Sequence, residues 1–216
     1  MRNEGATGLA TLLALADSRL PIGGHVHSGG VEEAVSSGLL RDNASVEVYL
    51  RRRVATSGLV TASLAAAVCG ATLTPERAEL ETDARTPSPA ARTASRAQGR
   101  GLLRLAKQLW PHHDWAPAGA RPHLSTVFGM VGAASGVSTE QLAGVVVYTT
   151  LTGAATAAQR LLALDPAAIA ASTMRLAPLC DRIAAEAATG FAALSDPLQD
   201  ALAERHLHRD MPLFAS

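Results

Sequence analysis

The stretch Ser138-Thr139-Glu140-Gln141-Leu142-Ala143-Gly144-Val145-Val146-Val147-Tyr148 decides the fold class. Val145 to Tyr148 is the one β-prone run in the chain, because β-branched and aromatic residues suit a pleated surface. It lies, however, inside a helical pattern that opens on a capping box, with Ser138 placed to accept the Gln141 N–H and Gln141 placed to return the bond. No tract alternates with period two over a useful length, so the run is read as helix.

Working outward, helix signals repeat on both sides. Leu124, Val127, Phe128 and Val131 share a face that Gly136 stops. Ser88-Pro89 opens a long helix to about Leu109, closed by Pro111, and Thr74-Pro75-Glu76 marks another start. Asp42 or Asn43 opens a helix through Val46, Leu50 and Val54, and the pattern resumes from Leu59 to Val68 past a kink at Gly58. Ser28 is placed to cap a short helix, with Glu32 and Glu33 at its positive end and Gly38 at its left-handed stop. Leu9, Leu12, Leu13 and Ala16 form a first apolar face, which Leu20-Pro21-Ile22-Gly23-Gly24 breaks. On the other side, Asp165-Pro166 restarts the chain, and helical pattern runs from Ala167 to about Leu194 with an interruption at Pro178. Ser195-Asp196-Pro197 begins a last short helix before a polar tail. The fold predicted is all-α, a compact bundle of roughly eight to ten helices, and 216 residues suit a single core.

Composition narrows function. Nineteen basic and nineteen acidic residues cancel, which leaves no global field for nucleic acid or an anionic membrane. Two stretches, 54–75 and 141–159, carry no charge for about the length of a membrane span, but Ala, Gly, Ser and Thr dilute them, and buried bundle helices are expected instead. Cys69 and Cys180 stand far apart without CxxC spacing, and no signal-peptide pattern opens the chain, so a cytoplasmic location is expected.

Chemistry-bearing residues are sparse. His25 with His27 and His206 with His208 form two HxH pairs, which a metal could touch transiently. A firm site needs three or four ligands, and neither pair has a Cys or a clearly placed third ligand, so no stably bound metal or other cofactor is expected. The glycine-rich loop lacks the Lys-Ser/Thr of a phosphate-binding loop, and no GxSxG elbow appears, although spacing alone does not exclude a spatial Ser/His/Asp triad. Arg92, Arg96, Arg100 and Arg104 recur at every fourth residue, repelling by roughly 0.2–0.5 kcal/mol per pair. Such a stripe calls for internal carboxylates or an acidic partner surface. Gly99 and Gly101 inside the same helix call for close approach by another backbone.

Leu15-Ala16-Asp17-Ser18-Arg19-Leu20-Pro21-Ile22-Gly23-Gly24, followed by Ser28-Gly29-Gly30-Val31-Glu32, resembles the N-terminal signature of UreF-type urease accessory proteins. The resemblance continues through Ser95-Arg96, Gly99-Arg100, Leu102-Leu103-Arg104-Leu105, Pro122-His123-Leu124, Val127-Phe128-Gly129 and Arg160-Leu161. It closes with Pro197-Leu198, Arg205-His206 and Leu213-Phe214, so that it spans nearly the whole chain. Departures fall at His25 and His27, where members commonly carry aromatic residues, and at Pro212 and Ala215, where arginines are usual.

The resemblance implies a single domain over residues 1–216 with a partner-binding tail at about 204–216. It also implies a non-catalytic homodimer that bridges a UreD/UreH-type protein and the GTPase UreG on the way to apo-urease, with nickel as cargo. The residues it singles out for partner contact are Pro21, Gly23, Gly24, Ser28 and Gly30 in the loop, Arg96, Arg100, Arg104 and Arg160, and Arg205, His206, Leu213 and Phe214 in the tail. A rival reading is a metal-binding module built on His25, His27, His206 and His208.

Overall fold

In the computed structural model, which describes residues 8–20, 27–208 and 213–214, the chain is helical with no strand among those residues. Helix α1 (Leu9–Leu15) buries Leu15 and leaves Leu9 and Leu13 exposed. Helix α2 (Val31–Ser36) begins one step later than its expected cap. Gly30, at φ 86°, is the N-cap, and the Ser28 hydroxyl accepts the Glu32 N–H only at 3.4 Å. A residue other than glycine at that φ would be strained, and the left-handed turn displaces Ser28 from the capping position. Gly38 stands at φ 74° after the helix, as its position predicts.

Helix α3 (Asn43–Arg53) opens on a reciprocal cap, with the Asp42 carboxylate accepting the Ser45 N–H at 2.8 Å. It passes without a break through a π-helical turn, Val54–Gly58, into α4 (Leu59–Cys69). The kink expected at Gly58 is this wider turn. Helix α5 (Pro75–Arg85) and α6 (Pro89–Leu109) each start with a hydroxyl cap, from Thr74 and Ser88, followed by proline. A 3-10 turn at Ala116–Ala118 sits in the loop that leads to α7 (Leu124–Ser135).

Helix α8 (Thr139–Leu162) carries the Ser138–Gln141 capping box and takes Val145, Val146 and Val147 into the core as helix. Helix α9 (Pro166–Thr189) runs through Pro178 instead of breaking there. Pro178 is exposed, with exposed Met174 one turn back, so water can take the carbonyl that the missing N–H leaves unpaired. The helix ends at Thr189, short of Leu194, because the next segment is committed elsewhere. The Ala192 N–H donates to Ser63 Oγ at 3.0 Å, and its carbonyl accepts the Arg85 Nε–H at 2.6 Å, tying the segment to α4 and α5. Helix α10 (Pro197–His206) follows.

Helix α4 is the central element, packed against α7, α8 and α9. Leu59, Ala62, Ser63, Leu64 and Ala65 are all buried on it, which explains why the stretch carries no charge. No helix among the described residues is long and apolar enough to cross a membrane. The small residues set the spacing: a Cβ on Gly129 of α7 would stand 2.4 Å from Val68 Cβ and 2.7 Å from the Ala65 carbonyl oxygen.

Candidate functional site

Two adjacent carboxylates on the short helix α2 organise one end of the molecule. Glu32 is 2 % exposed, and its two oxygens each accept a backbone N–H from the tail, Leu213 at 2.8 Å and Phe214 at 3.1 Å. His206, buried at the end of α10, donates from Nε2 to the Phe214 carbonyl at 3.1 Å, which fixes its tautomer, and its Nδ1 lies 3.8 Å from Glu32. Glu33 accepts Arg205 Nε–H at 2.9 Å. The Phe214 ring is buried with the Arg160 guanidinium 5.6 Å from its centre, a cation–π pairing. Side chains thus satisfy the backbone of the Leu213-Phe214 pair where no helix or sheet does.

Phe214 forms part of the wall of a cavity of about 190 Å³ together with Leu15, Asp17, Phe128, Thr149 and Arg160. Most hydroxyls along that wall of α8 are turned back onto their own helix, Thr149 and Thr150 onto the Val146 carbonyl and Thr152 onto the Tyr148 carbonyl. Asp17 is clasped by Arg19, whose Nε–H donates at 2.9 Å, and the side-chain bond to that guanidinium brings the carboxyl down to about 2.

Next to the tail, the Gly29 carbonyl accepts from Tyr49, Arg53 and Gln199, joining the start of α2 to α3 and α10. Gly30 completes the junction, since a Cβ there would come within 2.9 Å of Gln199 Nε2 and 3.2 Å of Leu202 Cβ.

A second polar cluster lies under α6. His123 is fully buried, with Nδ1 3.0 Å from Ser95 Oγ and Nε2 2.9 Å from Asp83 Oδ1. Its backbone N–H donates to Glu79, which also takes the Thr126 hydroxyl at 2.6 Å. Arg96 bridges Glu79 at 2.6 Å and Asp83 at 2.9 Å. The order Ser95, His123, Asp83 is that of a hydrolytic triad, but Ser95 Oγ also accepts the Leu124 N–H at 3.2 Å. With no part of its ring exposed, His123 has no path for passing a proton to a substrate. The cluster therefore acts as a clamp joining α5, α6 and the start of α7. Burial pushes the His123 imidazole below its ordinary value against the pull of Asp83 and Glu79.

The residues singled out by sequence are distributed as follows. Pro21, Gly23, Gly24 and His25 lie outside the described residues. Ser28 and Gly30 shape the entry to α2, whereas Arg160, Arg205, His206 and Phe214 converge around Glu32 and Glu33. Leu213 is 79 % exposed although its N–H is held. His206 points inward while His208 is exposed, and among the described residues no group of three or more His, Cys, Asp or Glu is placed to hold a metal. Arg96 is committed to carboxylates, and Arg100 and Arg104 are exposed. Sequence reasoning missed Glu32, Glu33, Glu79 and Asp83 as organisers. The available signal was the pair Glu32-Glu33 between apolar Val31 and Ala34, too short a helix to leave both acids in solvent.

The UreF family model matches residues 40–177. The chain belongs to the UreF family. Among UreF relatives, the urease accessory protein UreF of Mycobacterium sp. (strain JLS) is 66% identical over 210 residues, covering 97% of this chain and 100% of that protein. The urease accessory protein UreF of Mycolicibacterium vanbaalenii is 64% identical over 213 residues, with 97% and 100% covered. That of Mycobacterium tuberculosis (strain ATCC 25177 / H37Ra) is 58% identical over 210 residues with the same coverage. The chain is thus related end to end to UreF proteins, including the loop before α2 and the tail that the clamp on Glu32 brings together.

Proposed function

We propose that this UreF-family chain is a non-catalytic assembly factor for urease. In this reading it joins a UreD/UreH-type accessory protein and the GTPase UreG, in the cytoplasm and as a homodimer, so that nickel passes as cargo into apo-urease. The observation that carries the reading is near full-length identity to proteins named urease accessory protein UreF. The polar clusters support it, since both are spent on holding helices and tail in place and neither offers a reactive group to a substrate. Neither nucleic acid nor a membrane has a part in it.

The test is co-expression with the other urease accessory proteins and apo-urease, followed by affinity capture and assay of urease activity with and without this chain. Capture of the UreD/UreH-type protein and UreG, with urease activated only when this chain is present, is expected. Activation to the same level in its absence would defeat the reading.

A further inference from the structure

Helix α6 carries Arg92, Arg96, Arg100, Arg104 and Lys107 and no acidic residue, in a chain whose charges otherwise cancel. The structure divides this stripe into two halves. At the N-terminal half, α5 supplies the counter-charge: Arg92 Nε lies 3.8 Å from Asp83, and Arg96 takes both Asp83 and Glu79. Beyond the reach of α5, Arg100, Arg104 and Lys107 are exposed, and among the described residues none of them has an ion-pair partner. Beside the paired half, exposed Arg121 joins Arg92, Thr93 and Arg96 around an open hollow of about 370 Å³. Two carboxylates there face three guanidinium groups, so even the compensated half keeps a surplus of positive charge.

We infer that the exposed half of α6, from Arg100 to Lys107 and continuing into the hollow at Arg121, is a docking surface for an acidic face of a partner protein. Local like-charge repulsion along the helix is uncompensated without a partner, and guanidinium groups recognise carboxylates through paired, directional bonds. Protein carboxylates are the favoured occupant over a nucleic-acid backbone, since no aromatic side chain stands along α6 for a base to stack on and the chain as a whole carries no net charge. The inference rests on the assembly reading above and supplies the chemistry of one contact within it.

The experiment measures binding of full-length wild type, of the double variant Arg100→Glu/Arg104→Glu and of the charge-conserving Arg100→Lys/Arg104→Lys to the UreD/UreH-type protein and to UreG. Salt is raised from about 0.1 to 1 M, over which the screening length falls from about 10 to about 3 Å. Wild type is expected to lose at least about tenfold in affinity for one partner over that range. The reversed variant is expected to show a similar loss already at low salt and a flattened salt dependence, while the lysine variant keeps most of the affinity. Unchanged melting of both variants ensures that the readout is the surface. Reversal that leaves affinity and salt dependence as in wild type overturns this inference alone. Binding of labelled duplex DNA by wild type, abolished by the reversal while partner binding persists, overturns it as well. Failure of wild type to capture either protein at any salt removes the assembly reading and this inference with it.

Discussion

His123 carries the clearest residue-scale consequence, because it is buried, neutral and hydrogen-bonded on both nitrogens. Its folded-state pKa lies below the free value of 6.5. The stability it contributes is therefore complete above about pH 6.5 and is lost as pH falls through the lower folded value. Urea unfolding from pH 7.5 to 5 should show a midpoint that drops on the acid side, and His123→Gln should flatten that drop. His123→Gln should also cost roughly 1–3 kcal/mol at neutral pH, since Asp83 and Ser95 lose an aligned partner. An equally steep acid limb in the variant would assign the drop to other groups. Gly99 and Gly153 make a contrasting pair on the same scale. A Cβ on Gly99 would stand 2.2 Å from the Pro122 carbonyl oxygen and 2.9 Å from the His123 carbonyl carbon, both backbone, whereas nothing lies within 4 Å of one on Gly153. Gly99→Ala should lower stability by about 1–3 kcal/mol, and Gly153→Ala should raise it by up to about 1 kcal/mol. Thermal melts showing equal shifts would contradict the packing described for α6.

At the scale of elements, the tail is held chiefly by one side chain of α2. Glu32→Gln replaces a carboxylate that accepts two N–H bonds by an amide with one acceptor oxygen. Because a charged hydrogen bond contributes roughly 1.5–3 kcal/mol, exchange of the Leu213 and Phe214 amides should accelerate by at least about tenfold while α4 stays protected. Exchange at the wild-type rate would mean that the Phe214 ring and its Arg160 contact suffice. Element starts were the most legible part of the sequence, since Asp42, Thr74, Ser88, Ser138 and Asp165 are local caps whose bonds close within three residues. The end of α9 was not legible, because the atoms that hold Ala192 belong to Ser63 and Arg85, far away in the chain. The same holds for the candidate site: the arginine stripe is a local period and could be read, but its division into paired and exposed halves depends on where α5 lies. Glu32 as a tail receptor is separated from its ligands by most of the chain, and no spacing rule reaches that far.

For the molecule as a whole, the proposed homodimer is the property with the simplest measurement. Light scattering on the purified full chain should return twice the mass of one protomer across the micromolar range, and a stable monomer there would remove the dimer from the proposal. The π-helical turn at Val54–Gly58 has its own consequence at this scale. It holds one residue more than an α-helical turn would, and it joins α3, which bears on α2 and α10 through Tyr49 and Arg53, to α4 at the centre of the bundle. Excising a single residue such as Ala55 would let the rod close with ordinary winding and swivel all that follows by about 100°. Leu59, Leu64 and Ala65 would then face the wrong neighbours although each remained in the chain. The length of this rod is thus as strictly set as its composition, and natural insertions and deletions should avoid it while conservative exchanges pass.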